Sequence, residues 1–333
     1  SQQCKGEGAM IERRVHILAT GGTIATVYRP DLQGLAAGLS GQELMVEPPP
    51  GVEVTVEDFL RVNSTYITPQ DMLGLSRRIR AISAAKEADG IVVTHGTSTM
   101  EETAFFLDVT VPNPIPVVLT GAQRAAVEPF PDGPANLLAA LEAASSPLSR
   151  GRGTLLVFAG EIHAARSVRK EHTSNLKAFS SGDAGLLGQV DPGGVVYFRD
   201  IEETRKLAAE AVEENVDLVS FAAGMDARYV ETSIARKAAG LVVEGVGMGN
   251  VNEAFYRGIK AARERGMVVV VVSRSPNGRV LPRYGYAGGG ASLAREGVIF
   301  GGALSAAKAR LLLMIGLGAG LKEPELAEFF AQY

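Results

Sequence analysis

Two hydroxyl-rich turns hold the side chains in this sequence best suited to acyl chemistry. One is Thr20-Gly21-Gly22-Thr23-Ile24-Ala25, and the other is Thr94-His95-Gly96-Thr97-Ser98-Thr99. A threonine hydroxyl is a poor nucleophile until a base takes its proton and donors stabilise the oxyanion formed on the attacked carbonyl. Glycine turns offer such donors as free backbone N–H groups. The same hydroxyls also fit a plainer role, satisfying the unpaired N–H groups at a helix start.

Short apolar runs must position these turns. Ile91, Val92 and Val93 form a β-branched run of the kind that fills a central parallel strand, and Gly96 breaks it. Val15 to Ala19 is a second such strand, running into Thr20. Pro116 to Thr120 is a third, ending in Gly121-Ala122-Gln123-Arg124. Open α/β sheets bind ligands where strands end in turns before helices, so Thr23, Thr97 and Ala122 are expected to converge on one pocket. Thr99 with Glu102, or Ser98 with Glu101, fits a capping box that opens the next helix.

The two turns, the second continued through Met100-Glu101-Glu102-Thr103, resemble the signature motifs of the bacterial-type L-asparaginases and glutaminase-asparaginases. The likeness extends, with weaker stretches, from about Val15 to Tyr333. It implies an α/β, two-domain asparaginase-like fold, with a larger N-terminal domain built on a mainly parallel sheet flanked by helices and a smaller C-terminal α/β domain. It implies Thr23 as first nucleophile, with Thr97 and Lys170 as a hydroxyl–lysine pair that moves protons or activates water. The family also has a catalytic tyrosine in the loop after the first turn. Tyr28 is the candidate, though it follows that turn sooner than the family spacing has it.

By the same resemblance Ser64 and Thr65 hold the substrate's α-carboxylate, and short hydroxyls near a helix start independently suit an anion. Gly96, Ser98 and Ala122 belong to the substrate-binding turns. Asn250 is lent to a neighbouring subunit's site in a homodimer or homotetramer. Ser98 departs from the pattern, because the family has there an Asp that binds the substrate's α-ammonium. Losing a hydrogen bond to a charged group, worth roughly 1.5–3 kcal/mol, should weaken transition-state binding of free L-asparagine by about 10- to 100-fold.

Three functions therefore compete. One is an amidohydrolase whose amide, ester or lactam substrate lacks a free α-ammonium. Another is a true L-asparaginase in which some other group, such as Glu101, Asp132 or an acid from a partner subunit, replaces the Asp. The third is a non-catalytic ligand-binding relative.

Composition narrows the partners. The 333 residues carry a net charge of −4, against nucleic acid or an anionic membrane surface and in favour of a small-molecule substrate. Cys4 is the only cysteine and the four histidines are scattered, so neither a disulfide nor a metal site is expected, and no cofactor. Gly21-Gly22 lacks the third glycine and acidic partner of a dinucleotide fingerprint. Ser1 to Ala9 is polar, Met10 reads as a natural start, and a cytoplasmic protein is expected.

Along the chain, Thr26 to Gly41 reads as a mobile loop able to close over the site. Val52 to Val56 and Thr154 to Ala159 are strands, and helices start at Thr68-Pro69-Gln70-Asp71 and Asp132-Gly133-Pro134. Residues 10–190 form the catalytic domain, 191–213 a linker and 214–333 the second domain. In that domain Asp217 to Phe221, Gly240 to Glu244 and Met267 to Ser273 read as buried strands. Leu304 to Gly316 and Pro324 to Phe330 read as closing amphipathic helices.

Overall fold

Buried β-branched strands lying side by side dictate the architecture. The computed structural model describes residues 13–112 and 115–333, so Cys4, Met10 and the Ser1–Ala9 segment lie outside the described residues. Strand β1 (Arg13–Gly21) leads into a hairpin of β2 (Thr26–Arg29) and β3 (Gly34–Ala37), followed by β4 (Val52–Val62), helix α1 (Pro69–Ala84) and β5 (Gly90–Thr94). Then come α2 (Met100–Thr110), β6 (Val117–Thr120), α3 (Gly133–Ser145), β7 (Thr154–Phe158) and β8 (Glu161–Ala164). The short β9 (Arg169–Lys170) and β10 (Phe179–Ser180) precede β11 (Gly188–Asp191) and β12 (Gly194–Tyr197).

Eight of these strands form one sheet in the order β12-β11-β8-β7-β6-β5-β1-β4. It is parallel from β4 through β7 and antiparallel beyond. All five residues of β5 are buried, as a central strand covered on both faces requires. Leu18, Ile91, Val93 and Leu119 pack on one face with α1 and α2. Ile17, Val92 and Val118 pack on the other with α3.

The smaller domain has a parallel sheet of β13 (Val216–Ser220), β14 (Gly240–Gly245), β15 (Val268–Ser273) and β16 (Ile299–Phe300), in that order. Its helices are α4 (Arg228–Ala235), α5 (Glu253–Glu264), α6 (Gly290–Arg295), α7 (Ala306–Gly318) and α8 (Glu323–Phe330). The chain is thus a two-domain α/β protein, with a larger domain on a mainly parallel sheet and a smaller one on a second parallel sheet. Among the described residues, no helix is long and apolar enough to cross a membrane.

Four local expectations are corrected. Thr26 to Gly41, expected as a loop, contains an antiparallel hairpin with Tyr28 opposite Leu35. The α2 capping box does not form: the Glu102 N–H goes to the Thr99 backbone carbonyl, and the Thr99 hydroxyl donates to Ser64 O at 2.8 Å. The stretch read as linker includes β12, which pairs at the sheet edge, so the residues without regular secondary structure are 198–215. Helix α7 is not amphipathic but buried from Leu311 to Gly316, being wedged between the small sheet and α2.

Candidate active site

Neighbouring strands β1, β5 and β6 end at the same edge, and their turns pack backbone to backbone. Gly22 has φ +84°, and a Cβ there would lie 2.3 Å from Gly96 N. Only glycine permits both the left-handed conformation and this approach. A Cβ at Gly121 would meet His95 O at 2.3 Å, and one at Gly96 would meet the Ser64 side chain at 2.8 Å. Thr20 Oγ1 also donates to Thr94 O at 2.7 Å. Four turns, those of Gly22, Ser64, Gly96 and Gly121, therefore form one contiguous wall.

His95 is buried in this wall and holds it from inside. Its Nδ1 contacts Gly96 O at 2.7 Å and its Nε2 contacts Thr103 Oγ1 at 2.7 Å. A neutral ring fits, with Nδ1 donating to the carbonyl and Nε2 accepting from the hydroxyl. Burial pulls its pKa down to about 4.

The wall presents Thr97, whose hydroxyl bonds to two side chains. Lys170 Nζ donates to Thr97 Oγ1 at 2.7 Å, and Thr97 Oγ1 donates to Gln123 Oε1 at 2.9 Å. Lys170 is held by the pairing of β9 with β10, where it faces Phe179, and by its own N–H, which donates to Glu101 Oε1 at 3.0 Å. Burial lowers the Lys170 pKa below the ordinary lysine value. A lysine so shifted, bonded to a hydroxyl, can exchange a proton with it.

The remaining expected residues are placed unevenly. Thr23 is partly exposed and follows directly on Gly22, at the turn that touches Gly96. Ser64 is buried and Thr65 exposed. Ala122 is fully buried beside the third turn, and Ser98 is exposed next to Thr97. Tyr28 is 58% exposed on the β2–β3 hairpin. Asn250 lies on the small domain, buried, where its Oδ1 accepts from Gly290 N at 3.1 Å. That bond ties it to its own domain.

Gln123 was not singled out by the sequence, although the turn containing it was. Its Nε2 donates to Thr173 O and Asn175 O, which ties the 173–175 segment to Thr97. Asp132 supports it by accepting from Gln123 N, Arg124 N and Asn136 Nδ2. Among the described residues, no group of three or more His, Cys, Asp or Glu is placed to hold a metal ion.

Known proteins share both halves of this architecture. The family described as "Asparaginase, N-terminal" matches residues 14–203, and "Glutaminase/Asparaginase C-terminal domain" matches residues 215–330. The chain is 38% identical to a "Probable L-asparaginase" of Deinococcus radiodurans, over 96% of this chain and 97% of that protein. It is 35% identical to an "L-asparaginase" of Bacillus licheniformis, over 94% of this chain and 99% of that one. One component of a glutamyl-tRNA(Gln) amidotransferase of Methanococcus maripaludis is 29% identical, over 80% of this chain and 68% of the relative.

Proposed function

Because the chain belongs to the asparaginase family, and is thus an amidohydrolase acting on carbon–nitrogen bonds other than peptide bonds, we propose that it works through an acyl-threonine on an amide lacking a free α-ammonium. In this reading Thr23 Oγ1 attacks the amide carbonyl carbon. The C–N bond breaks, the leaving nitrogen takes up a proton, and water then hydrolyses the ester to regenerate Thr23. Thr97 and Lys170 move the protons, and N–H groups of the Gly22 and Gly96 turns stabilise the oxyanion. The observation that carries the reading is the 2.7 Å bond from Lys170 Nζ to Thr97 Oγ1, made by a lysine whose pKa burial has lowered. Ser64 and Thr65 receive the substrate carboxylate, and Tyr28, exposed on its hairpin, is the candidate tyrosine of the reaction.

Substrate choice turns on Ser98. It offers a hydroxyl where the family has a carboxylate, and the nearby acids are committed elsewhere. Glu101 accepts the Lys170 N–H, and Asp132 accepts three donors of its own turn and helix. The second reading, free L-asparagine as substrate, is favoured by the names of the Deinococcus and Bacillus relatives. Ammonia release from L-asparagine, L-glutamine, succinamate and N-acetyl-L-asparagine separates the two. The expected order puts the substrates without α-ammonium first, and Ser98→Asp should raise kcat/KM for L-asparagine by about 10- to 100-fold. Turnover of L-asparagine by the unmodified protein above that of succinamate and N-acetyl-L-asparagine would favour the second reading.

The assembly belongs to the same proposal, as a homodimer or homotetramer in which the partner subunit's Asn250 completes the site. Light scattering should give a mass of two or four times 35.0 kDa. A mass of one chain at micromolar concentration would remove this part of the reading.

A further inference from the structure

Lys308 stands on the first turn of α7 with 1% of its surface exposed. Two costs attach to a cation there, since burial strips its hydration and the positive end of the helix repels it. Its three N–H groups are all taken. Nζ donates to Ala165 O at 3.0 Å, to Arg166 O at 3.3 Å and to Val168 O. The Phe105 ring lies 5.9 Å away, the carboxylates of Glu101, Glu102 and Asp108 on α2 favour the charge, and Arg169 opposes it. Burial pulls the ammonium down to about 8, which leaves it mostly charged at neutral pH.

All three acceptors belong to one loop, residues 165–168, which leads directly into β9 and Lys170. The small domain grips the same segment twice more. Arg166 Nη2 donates to Gln332 O at 2.8 Å, and Arg169 Nη2 donates to Ala303 O at 3.2 Å. Only Arg169 separates the anchored Val168 carbonyl from Lys170. We propose that Lys308 is a positioning residue for Lys170: by binding three carbonyls of the 165–168 loop, its buried ammonium fixes the path along which Lys170 reaches Thr97. The inference rests on the reading of Lys170 as the proton-moving residue. An apolar side chain of similar length would fill the space but leave the three carbonyls unpaired and the loop free to shift.

The test compares Lys308→Met, Lys308→Arg and Lys170→Met, using whichever amide of the release assay has the highest kcat/KM, with kcat expressed per folded molecule from circular dichroism. A shift of about 1 Å at a reacting group costs up to about 100-fold, so Lys308→Met should lose about 10- to 100-fold in kcat with KM within about twofold. A role in stability alone would lower the melting temperature and leave kcat per folded molecule unchanged, which overturns the inference. If Lys308→Met does not fold, Lys308→Arg decides, because a guanidinium must redistribute its donors among the three carbonyls. A fall of about tenfold in kcat at constant KM then supports the inference, and an unchanged kcat overturns it. Full turnover in Lys170→Met removes the reading of Lys170 and this inference with it. An inactive Lys170→Met beside a normal Lys308→Met removes only the inference.

Discussion

The Thr97 hydroxyl is caught between two side chains, accepting from Lys170 Nζ and donating to Gln123 Oε1. In the resting state its proton therefore points at an amide oxygen. In the proposed mechanism it passes to Lys170 only when that amine is neutral and free to accept, and desolvation enlarges the neutral fraction by lowering the lysine pKa. Thr97→Ala and Lys170→Met should each reduce kcat by about two orders of magnitude or more with unchanged circular dichroism. Gln123→Ala should cost about tenfold, because the amide orients the hydroxyl without carrying its proton. The sign of the pH dependence follows. kcat/KM should rise with pH to a plateau whose midpoint lies below the ordinary lysine value, and Lys170→Met should abolish that limb. Gln123 could not be read from the sequence, since an amide in a glycine turn has neither period nor spacing to mark it.

His95 makes a second prediction of the same kind, this time on stability. Its folded pKa is depressed to about 4 from 6.5, so between those values the unfolded chain binds more protons than the native one. Native stability must then fall as pH drops through 6.5, with the full loss reached below about 4. At about 1.36 kcal/mol per pH unit this is on the order of 3 kcal/mol from His95, and His163, also pulled to about 4 by burial, adds to the same slope. Urea midpoints at pH 7 and pH 5 measure it. His95→Gln should lower stability at pH 7, by losing the ring's bond to Thr103, and flatten the change between the two pH values. An unaltered slope in the variant would assign the acid sensitivity elsewhere.

The strands were legible because their chemistry is local. β-Branched runs such as Ile91 to Val93 and Val268 to Val272 have one good solution, a strand covered on both faces, and they take it. What was not legible depends on partners distant in sequence. Thr99 has the right neighbours for a capping box, but its hydroxyl serves Ser64 O, 35 residues earlier. The β2–β3 hairpin was hidden by its Gly, Pro and Asp content and by exposed Tyr28 and Leu35, which leave no buried face to betray a strand. The packing of the turns that carry Thr23, Thr97 and Ala122 follows from strand order, and it is made by glycine contacts, Gly22 on Gly96 and Gly121 on His95. Gly22→Ala should therefore do more harm than its size suggests. It combines a φ of +84° with a Cβ 2.3 Å from Gly96 N, so the two turns must separate. We expect a loss of about 1–3 kcal/mol in stability and at least about a hundredfold in kcat, read by urea unfolding and the release assay. A variant that keeps normal turnover would mean that the turns need not touch.

The two domains meet through a shared core rather than a hinge. Phe105, Phe106 and Val109 of α2 fall in one apolar cluster with Leu311 to Ile315 of α7, Val242 and Val270 of the small sheet, and Phe329 and Phe330 of α8. Sequence pattern does not reach this arrangement, because reading α7 as amphipathic assigns it a solvent face it does not have. A helix apolar all round must be covered all round, and here the large domain supplies the second cover. Neither domain then retains its native core without the other, and the chain should unfold as one cooperative unit despite its length. Calorimetry tests this through agreement of the calorimetric and van't Hoff enthalpies, with circular dichroism and tyrosine fluorescence giving one midpoint. Phe106→Ala, which leaves a cavity on the large-domain side of the cluster, should cost about 3–5 kcal/mol and move the single transition as a whole. Two resolved transitions, only one of them shifted by Phe106→Ala, would show instead that the small domain is stable without α2. The bonds from Lys308 to the 165–168 loop, and from Arg166 of that loop to Gln332, would then join two independently moving bodies.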